Sequence, residues 1–597
     1  MADLLRADGS RRVDYRFKIR LLASSYSRGR ARTSYTPNVP MSIREASDHL
    51  LERPNDTMMA YHLIKLIEEQ GKAGVEEAVK LFNETPHSGL FGAFVSLPGI
   101  PLIKEAVCRL GNDRIAELFR THPLRDIRSI MALGPEGYQL YRRWNNNFNQ
   151  NRDQHVEFGD IDFLAMPFPI EYLLEEGRRK YVGVDSMARP SSLKGQSLAL
   201  GTSLRTIPVE ETYSRVEPVM EAVMGNTPTM VIHTMGGFVS MAVWQQNLVT
   251  RLGRHHHSIS GNFSSSGKGF SPETALASCL MEMTERVSAA AGIGENWPEG
   301  YCVDPEIRFG RASELREQGL NPLEMSGFNT LLPYRDEAIY WTRGEQVTSS
   351  GRQMVYVPAQ GVFEFSVFDE PEIMFTSSNG LASGNIMEEA KLHALLEIIE
   401  RDGDNSMFYT ARNCFSVRLD GSLATPIMAV YAARGFNLEF LDLTTELGVP
   451  TYRAFLKFDN KTVLSGSGAH LDGRIAALRA IGELHTKLFS TDKSLRASRG
   501  GLPPSNPRVS TRVLGFEELP NFSTGNVQAD LSIVENLLLA NGFTISYVDL
   551  TRKNFGIPVV RAIVPGLDYP DSLTRRQLRH FMQLMGNKLE LHKLEPC

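Results

Sequence analysis

Two stretches of the sequence carry the same charged pattern, Glu-x-x-Glu-Arg. The residues are Glu282, Glu285 and Arg286 in the first stretch, and Glu397, Glu400 and Arg401 in the second. In an α-helix, residues three apart lie side by side, so the two carboxylates of each pair would share one helix face. Buried carboxylates are costly unless a cation accompanies them. The following arginine is one candidate cation, and Mg²⁺, which prefers oxygen ligands, is the other.

A single Glu-x-x-Glu-Arg is typical of a solvent-exposed helix face, but the duplication argues against that interpretation. The first glutamate of each pair follows an alanine by the same seven residues, Ala275 before Glu282 and Ala390 before Glu397. Glycine-rich segments, "SSSGKG" and "SSNGLASGN", precede the two stretches. Glycine-rich turns before helix N-termini suit anionic phosphates. The pattern therefore favours a site for phosphate and Mg²⁺.

Further repeats indicate how the surrounding domain is built. A weaker third copy places Glu483 seven residues after Ala476. The segments 441–456 and 548–564 also match each other, since both read D-L-T, a short loop, G-x-P and then a β-rich strand. These strands carry Arg453 and Arg561 respectively. The chain from about residue 200 onward is therefore predicted to be one large α+β domain made of duplicated parts.

The N-terminal part is expected to be organised differently. Residues 1–40 are interpreted as a flexible basic tail, and residues 41–145 as a mainly helical domain, since "VEEAVKLFNETP" has apolar residues at helical spacing and stops at proline. The Asn-rich stretch 142–155 is interpreted as a loop or linker. It opens a transition region over 146–195, and the α+β domain is assigned to 196–597.

Composition excludes several classes of protein. The chain has 597 residues, of which 42% are hydrophobic and 22% charged, with a net charge of −5. That balance is ordinary for a soluble globular protein and gives no electrostatic reason to bind nucleic acid. No apolar run reaches the length of a membrane span, and the N-terminus lacks a signal-peptide core. Five scattered cysteines without a CxxC pair predict a reducing, cytoplasmic location and argue against a zinc site or disulfide framework.

The glutamate motifs resemble those of the YcaO family, ATP-dependent enzymes that modify peptide backbones. The family's S-x-x-x-E-x-x-E-R hallmark is complete at Ser278, Glu282, Glu285 and Arg286. Its second hallmark corresponds to residues 379–402, which include Asn385, Glu389, Glu397, Glu400 and Arg401. "RAIGE" supplies Arg479 and Glu483, and the upstream "LRTIPVEETYSRVEP" supplies Arg205 and Thr212. The resemblance covers about residues 196 to 590.

The resemblance implies a YcaO-type α+β domain that binds ATP and Mg²⁺. The residues implied to bridge the metal are Glu282, Glu285, Glu397 and Glu400. Those implied to contact phosphates, ribose or base are Arg205, Thr212, Ser278, Asn385, Glu389, Arg401 and Arg479. The catalytic set is expected to comprise Glu397, Glu400 and Arg401.

The chemistry implied by the family is activation of a peptide backbone amide. A nucleophile adds to the amide carbonyl, and the resulting oxygen is phosphorylated by ATP and leaves as phosphate. A Cys, Ser or Thr side chain of the substrate gives a thiazoline or oxazoline, external sulfide gives a thioamide, and an amine gives an amidine. Phosphorylation with Mg²⁺ is needed because an amide oxygen is a poor leaving group. Azoline-forming cyclodehydration is the leading interpretation, with thioamide or amidine formation and a non-catalytic assembly subunit as alternatives.

Three departures from the family pattern bear on the product. Ile386 stands where a small polar residue is usual, and Thr486 where glutamine is common. The C-terminal "GNKLELHKLEPC" is not the P-x-P-x-P tail of many azoline-forming members. The missing tail weakens the case for azoline formation, which remains the leading interpretation, and strengthens the case for a thioamide, an amidine or a product that is not a peptide. The expected partners are a precursor peptide and a protein that binds its leader, with homodimerisation left open. The N-terminal 195 residues do not resemble a partner module of the family, which leaves three roles open: binding a leader peptide, binding a partner protein, or a structural role.

Overall fold

The structure is a computed structural model. It describes residues 15–21, 31–97, 100–154, 156, 158, 179–187, 206–225, 229–234, 236–250, 257–290, 300–330, 333–364, 370–374, 377–410, 412–418, 424–458, 461–495, 512–567 and 573–585. Helices and strands both contribute to the fold, which is α+β with a helical N-terminal region. None of the described helices combines the length and the apolar character needed to cross a membrane.

The first described elements are two strands, β1 (Tyr15–Leu21) and β2 (Ala31–Pro37), which pair antiparallel. The expectation of a flexible tail over residues 1–40 is therefore wrong for these two segments. "YRFKIRL" alternates apolar and basic residues, and this period of two favours a strand. The buried Tyr15 hydroxyl donates to the Asp56 carboxylate at 2.7 Å, which ties β1 to the helices that follow.

The helical region continues to residue 154. Its helices are α1 (Ile43–Glu52), α2 (Thr57–Glu84), α3 (Ser88–Ser96), α4 (Pro101–Cys108), α5 (Asn112–Arg120) and α6 (Arg125–Gln154). Its apolar side chains form one hydrophobic cluster with those of the first sheet and of the first glutamate helix. The helical region therefore packs directly against the α+β part of the chain.

The prediction of a loop in the Asn-rich stretch is wrong, because residues 142–154 are the end of α6. Trp144 and Phe148 are one helical turn apart and buried, and Phe148 packs against Phe408 and Phe581. Asparagine dominates the composition of this stretch and favours a loop, so composition alone does not indicate the buried aromatic face. One of them, Asn151, accepts a hydrogen bond from the Tyr409 amide at 2.9 Å, so even the polar residues hold the helix in place.

Three five- or six-stranded sheets form the rest of the described fold. The first has the order β2-β1-β5-β4-β3, the second β13-β12-β11-β10-β14, and the third β6-β7-β15-β16-β9 with β8 paired to β7. The remaining strands are β3 (Met230–His233), β4 (Phe238–Thr250), β5 (His257–Gly269), β6 (Arg308–Gly310), β7 (Ile339–Thr348), β8 (Gly351–Pro358), β9 (Leu381–Ser383), β10 (Cys414–Arg418), β11 (Phe436–Asp442), β12 (Thr451–Phe458), β13 (Lys461–Ala469), β14 (Val513–Gly515), β15 (Ile545–Asp549) and β16 (Val559–Ile563). The helices among them are α7 (Val209–Met224), α8 (Pro272–Ala289), α9 (Ala312–Glu317), α10 (Met387–Ser406), α11 (Ala424–Ala432), α12 (Gly473–Leu495), α13 (Val527–Ala540) and α14 (Arg575–Met585).

One strand–helix unit recurs in all three sheets, as β5–α8, β9–α10 and β13–α12. In each unit a glycine at or just after the strand end lies so close to an alanine of the helix that a side-chain carbon on the glycine would overlap the helix backbone. The contacts join Gly267 to Ala275, Gly384 to Ala390 and Gly468 to Ala476. These are the alanines of the sequence repeat, and each is fully buried. The repeat is therefore confirmed, and close packing explains why alanine occupies its first position.

The two D-L-T segments also form equivalent structures. Each consists of an antiparallel strand pair, β11–β12 in the first segment and β15–β16 in the second. The second strand of each pair carries a buried arginine, Arg453 or Arg561. Both arginines lie behind a glutamate helix, because Arg453 binds Asp404 of α10, and Arg561 pairs at 3.7 Å with Glu364, which itself binds Arg286 of α8.

Candidate functional site

Helix α8 presents the first pair of glutamates. The helix begins at Pro272 after Ser271, whose side chain accepts a hydrogen bond from the Thr274 amide in a capping box. Two turns beyond the buried Ala275, Glu282 accepts hydrogen bonds from the Ser266 amide and from Arg286, both at 3.1 Å. The carboxylate is therefore fixed between the end of β5 and its own helix.

Glu285 faces the second strand–helix unit. Its Oε1 accepts hydrogen bonds from the amide of Ser383 at 2.8 Å and from the Ser383 hydroxyl at 2.7 Å. Burial, and next the neighbouring Glu282, raise the pKa of this carboxyl to about 8 against the opposing effect of Ser383 and Arg286. Glu285 is thus a half-buried carboxylate for which the surrounding protein supplies too little positive charge to offset its loss of hydration.

Helix α10 presents the second pair. Glu397 lies 3.6 Å from Arg401, yet burial raises the pKa of its carboxyl, and Glu400 adds to the shift. Glu400 is 7% exposed and accepts a hydrogen bond from the Ala469 amide at 3.2 Å. This contact fixes Glu400 against the end of β13, so the second pair of glutamates also touches the third strand–helix unit.

Lys268 lies where the three units meet. It comes from β5 and forms an ion pair with Glu483 of α12. Burial lowers the pKa of the Lys268 amine to about 8, with Glu400 and Glu282 opposing the shift and Arg479 and Arg401 adding to it. Lys268 is therefore close enough to carboxylates of both glutamate helices for their charges to act on it.

The charged groups of the three units are surrounded by protein but still reached by solvent. The exposed fraction of the side chain is 32% for Lys268, 28% for Glu282, 23% for Glu397 and 31% for Arg401. Burial shifts the pKa values of Lys268 and Glu397, and yet the surfaces of both side chains meet water, so the two residues line a recess. A recess with both signs of charge and glycine-rich strand ends suits an anionic ligand that carries a metal ion.

Two of the predicted residues form a separate cluster at the start of α10. Asn385 donates from its side chain to both oxygens of Glu389 at 3.2 Å, and Thr206 donates to the same carboxylate at 2.8 Å. Glu389 precedes Glu397 by eight residues, about 12 Å along the helix axis. The structure therefore brings Asn385 and Glu389 together, at one end of the face on which Glu397 lies.

The remaining predicted residues have mixed outcomes. Arg479 faces Lys268 and is half-buried, so it belongs to the recess. Ser278 is half-buried on α8, one turn before Glu282. The Thr212 hydroxyl donates to the Pro208 carbonyl at 3.2 Å within its own helix. Arg205 lies outside the described residues.

Sequence reasoning missed three residues that contact the predicted ones. Ser383 binds Glu285, Ser266 binds Glu282, and Glu364 accepts a hydrogen bond from Arg286 at 3.2 Å. The first two belong to the glycine-rich segments "SSNGLASGN" and "SSSGKG", which marked a site without identifying the contacts. Glu364 lies in no repeat and in no motif, so nothing in the sequence pointed to it.

The four glutamates fit Mg²⁺ only together with a further ligand. Among the described residues, no three His, Cys, Asp or Glu side chains are grouped closely enough to hold a metal. Mg²⁺ ordinarily takes one or two carboxylates and completes its coordination with substrate phosphates and water. The raised pKa values of Glu285 and Glu397 indicate carboxylates that an added cation would stabilise in their charged form. The donor set therefore fits a metal that arrives with a nucleotide.

Comparison with known proteins places this site in a family. The sequence profile of the YcaO cyclodehydratases, described as ATP- and Mg²⁺-binding, matches residues 266–568, just over half of the chain. An uncharacterized protein of Methanothermobacter thermautotrophicus is 32% identical over 349 residues, which cover 52% of this chain and 84% of that protein. The matched range contains both glutamate helices and Lys268. The profile thus assigns ATP and Mg²⁺ as the cofactors of the chain.

Solved structures are also similar to this chain, at lower sequence identity. A heterocyclase in complex with substrate and cofactor has a TM-score of 0.48 and 21% identity, over 65% of this chain and 56% of that chain. The chain thus matches only about half of that heterocyclase. YcaO from Methanopyrus kandleri, bound with AMPPCP and Mg²⁺, has a TM-score of 0.46 and 22% identity, over 62% of this chain and 94% of that chain.

Proposed function

Because this chain belongs to the YcaO family, we propose that it uses Mg²⁺ and ATP to activate a backbone amide of a ribosomally made precursor peptide, with an azoline as the product. The observation that supports this most is the convergence of α8 and α10. Their Glu-x-x-Glu-Arg faces reach one recess, where Glu285 and Glu397 are half-buried carboxylates with raised pKa values. A protein that served only as a scaffold would have no use for carboxylates of that kind.

The proposed reaction joins a substrate side chain to the preceding amide. The Cys, Ser or Thr side chain adds to the amide carbonyl, and its proton is released to solvent. When bound, Mg²⁺–ATP supplies the phosphoryl group that turns the amide oxygen into a leaving group. Loss of that oxygen as phosphate, with the amide proton, leaves the C=N bond of the azoline ring.

The residues of the recess have distinct tasks in this proposal. Glu282, Glu285, Glu397 and Glu400 hold the metal together with the phosphates, and Ser383 and the amides of Ser266 and Ala469 fix the carboxylates in place. Lys268, Arg401 and Arg479 supply positive charge where negative charge develops on the phosphoryl group. Preorganised charges of this kind act without reorganisation during the reaction, which is why they accelerate it.

The N-terminal region is proposed to present the peptide or to bind a protein that does so. It packs on the sheet that carries β5, and its apolar side chains share one cluster with those of α8. A partner or leader peptide bound there would therefore lie next to the first glutamate helix. In this proposal the helical region takes part in presenting the substrate and is not only structural.

Mass spectrometry of a co-expressed peptide tests the proposed function. The protein is produced together with each short open reading frame that flanks its gene, and the peptides are weighed. Loss of one water per modified site supports azoline formation, and replacement of one oxygen by sulfur indicates thioamidation instead. Unmodified peptides, together with no phosphate release from ATP in the presence of any of them, would contradict the enzymatic proposal and favour an assembly subunit.

A further inference from the structure

Glu364 is anchored to the end of the first glutamate helix, far from any recognised motif. It follows β8 in the chain, and its amide donates a hydrogen bond to the Ala289 carbonyl at 3.0 Å. It also forms an isolated parallel bridge with Ala290. The side chain is only 9% exposed, so its carboxylate has little access to water and depends on protein cations.

Two arginines meet at this carboxylate. Arg286 of α8 donates to Oε1 of Glu364 at 3.2 Å, and Arg561 of β16 lies 3.7 Å from the same oxygen. The other end of the Arg286 guanidinium donates to Glu282 at 3.1 Å. The result is a chain of alternating charge, Glu282–Arg286–Glu364–Arg561, which runs from the recess into the interior of the protein.

Arg561 is held in place and cannot move to replace Arg286 as a partner of the glutamates. It is 1% exposed, and its guanidinium donates to the carbonyls of Val362, Ser377 and Asn379 at 3.1, 2.7 and 3.0 Å. Arg286 is less confined, because its side chain is 24% exposed and its charge also acts on Glu285 and Glu397. Its orientation therefore depends on the carboxylates that compete for it.

We propose that Glu364 is a positioning residue that keeps one end of the Arg286 guanidinium on itself and so away from the metal-binding carboxylates Glu285 and Glu397, while the other end stays on Glu282. The inference rests on the proposed site for Mg²⁺ and ATP. Without the Glu364 charge, the freed end of Arg286 would be repelled by Arg561 and attracted towards Glu285 and Glu397. A fixed guanidinium among those carboxylates would compete with Mg²⁺ for the same oxygens. Outer carboxylates that orient metal-binding groups commonly affect metal affinity in this way.

A merely structural ion pair makes a different prediction. Removing one partner of a buried pair destabilises the fold because the other charge is left unpaired. Such a loss lowers the melting temperature but leaves the affinity of the folded protein for Mg²⁺ unchanged. Metal affinity measured on the folded protein therefore separates the two roles, and it does so without any assay of turnover.

The test compares Mg²⁺ binding by the wild type and by Glu364→Gln in the presence of AMPPCP, measured by titration calorimetry. We expect the variant to bind Mg²⁺ roughly 10- to 100-fold more weakly. Glu364→Asp, which keeps the charge, should recover part of that affinity. Glu535→Gln is the matched control, because Glu535 is 10% exposed and pairs with Arg352 elsewhere in the fold, and it should bind Mg²⁺ like the wild type.

Kinetics supply a second readout. Glu364→Gln should need a higher Mg²⁺ concentration for half-maximal phosphate release, while kcat at saturating Mg²⁺ returns towards the wild-type value. If Glu364→Gln does not fold, the double variant Glu364→Gln/Arg561→Met removes the orphaned arginine and keeps the cluster neutral. Weak Mg²⁺ binding by that variant would support the inference.

Wild-type Mg²⁺ affinity in a folded Glu364→Gln, or in the double variant, would overturn the inference and leave the proposed function intact. Absence of Mg²⁺–AMPPCP binding by the wild-type protein would instead overturn both. The two failures are therefore distinguishable in a single set of titrations.

Discussion

Ser383 donates two hydrogen bonds to Glu285, one from its amide at 2.8 Å and one from its hydroxyl at 2.7 Å. The serine ends β9 and precedes α10, whereas the glutamate belongs to α8. The pair thus joins the two strand–helix units that carry the Glu-x-x-Glu-Arg motifs. The position of one glutamate helix is thereby set by the strand that leads into the other.

Removing the Ser383 hydroxyl should reduce turnover more than it reduces the stability of the fold. In Ser383→Ala the amide still donates to Glu285, so the loss of stability should be about 1 kcal/mol. The carboxylate loses one of its two anchors, and ATP-dependent turnover should fall on the order of tenfold. Ser129→Ala is a suitable control, since this buried hydroxyl donates to the Arg125 carbonyl in α6. Equal turnover in the two variants would contradict a role for Ser383 in the site.

Glu397→Gln should separate catalysis from stability. Burial raises the pKa of Glu397 above its ordinary value, so its charged form is disfavoured in the folded state and destabilises the protein at neutral pH. Glutamine keeps the shape and removes that charge. The variant should lose phosphate release while the melting temperature without nucleotide stays the same or rises.

Surviving turnover in Glu397→Gln would instead indicate that Glu397 lies on an ordinary solvent-exposed helix face. If Glu397 served only Arg401, at 3.6 Å on a partly exposed surface, its loss would cost at most about 1 kcal/mol. Turnover would then survive and the melting temperature would fall slightly. Melting curves with and without Mg²⁺–ATP, recorded for the same samples, decide between the two outcomes.

Local spacing made the glutamate helices predictable from the sequence. Helical geometry places residues three apart on one face, and a repeated alanine marks where a helix packs against a strand. Both features survive in a single sequence because they depend on residues close together in the chain. The same reasoning identified Arg561 as part of a repeated strand without revealing what it binds.

Contacts between distant segments were not predictable in this way. Glu364 lies 78 residues from Arg286, and no local pattern records that they form an ion pair. The end of α6 was taken for a linker because asparagine dominates its composition, although Trp144 and Phe148 supply a buried face. In both cases the deciding interaction is tertiary, and local propensity does not report it.

The strand–helix contacts predict which glycines tolerate a side chain. A methyl group on Gly468 would overlap the carbonyl of Ala476, and both residues belong to packed backbone that cannot move apart cheaply. Gly468→Ala should therefore destabilise the protein by about 1–3 kcal/mol. Gly137→Ala, on α6, meets only the Leu133 side chain at 3.4 Å and should be neutral or stabilising by up to about 1 kcal/mol. Urea unfolding of both variants checks the contrast, and similar losses would refute it.

The N-terminal helices should make the protein sensitive to mild acid. Burial lowers the pKa of His87 to about 4 and that of His122 to about 3. The His122 Nδ1 accepts a hydrogen bond from the Leu124 amide at 3.0 Å, and this contact requires that nitrogen to be unprotonated. Both histidines are therefore neutral in the folded protein down to a pH at which the unfolded chain is already protonated.

The sign of the effect follows from that difference. Above the ordinary histidine pKa both states are neutral, and stability does not depend on these groups. As the pH falls below about 6, only the unfolded state binds the protons, so each histidine removes about 1.4 kcal/mol per pH unit. Glu285, whose pKa is raised to about 8, acts in the opposite sense over the same range, so the free energy of unfolding is measured in urea from pH 7.5 to 4.5 for the wild type and the histidine variants, and their slopes are compared. His122→Gln should lower the slope, whereas His233→Gln, at an exposed position on β3, should not change it. Identical slopes for the wild type and His122→Gln would show that His122 is protonated as readily in the folded protein as in the unfolded chain.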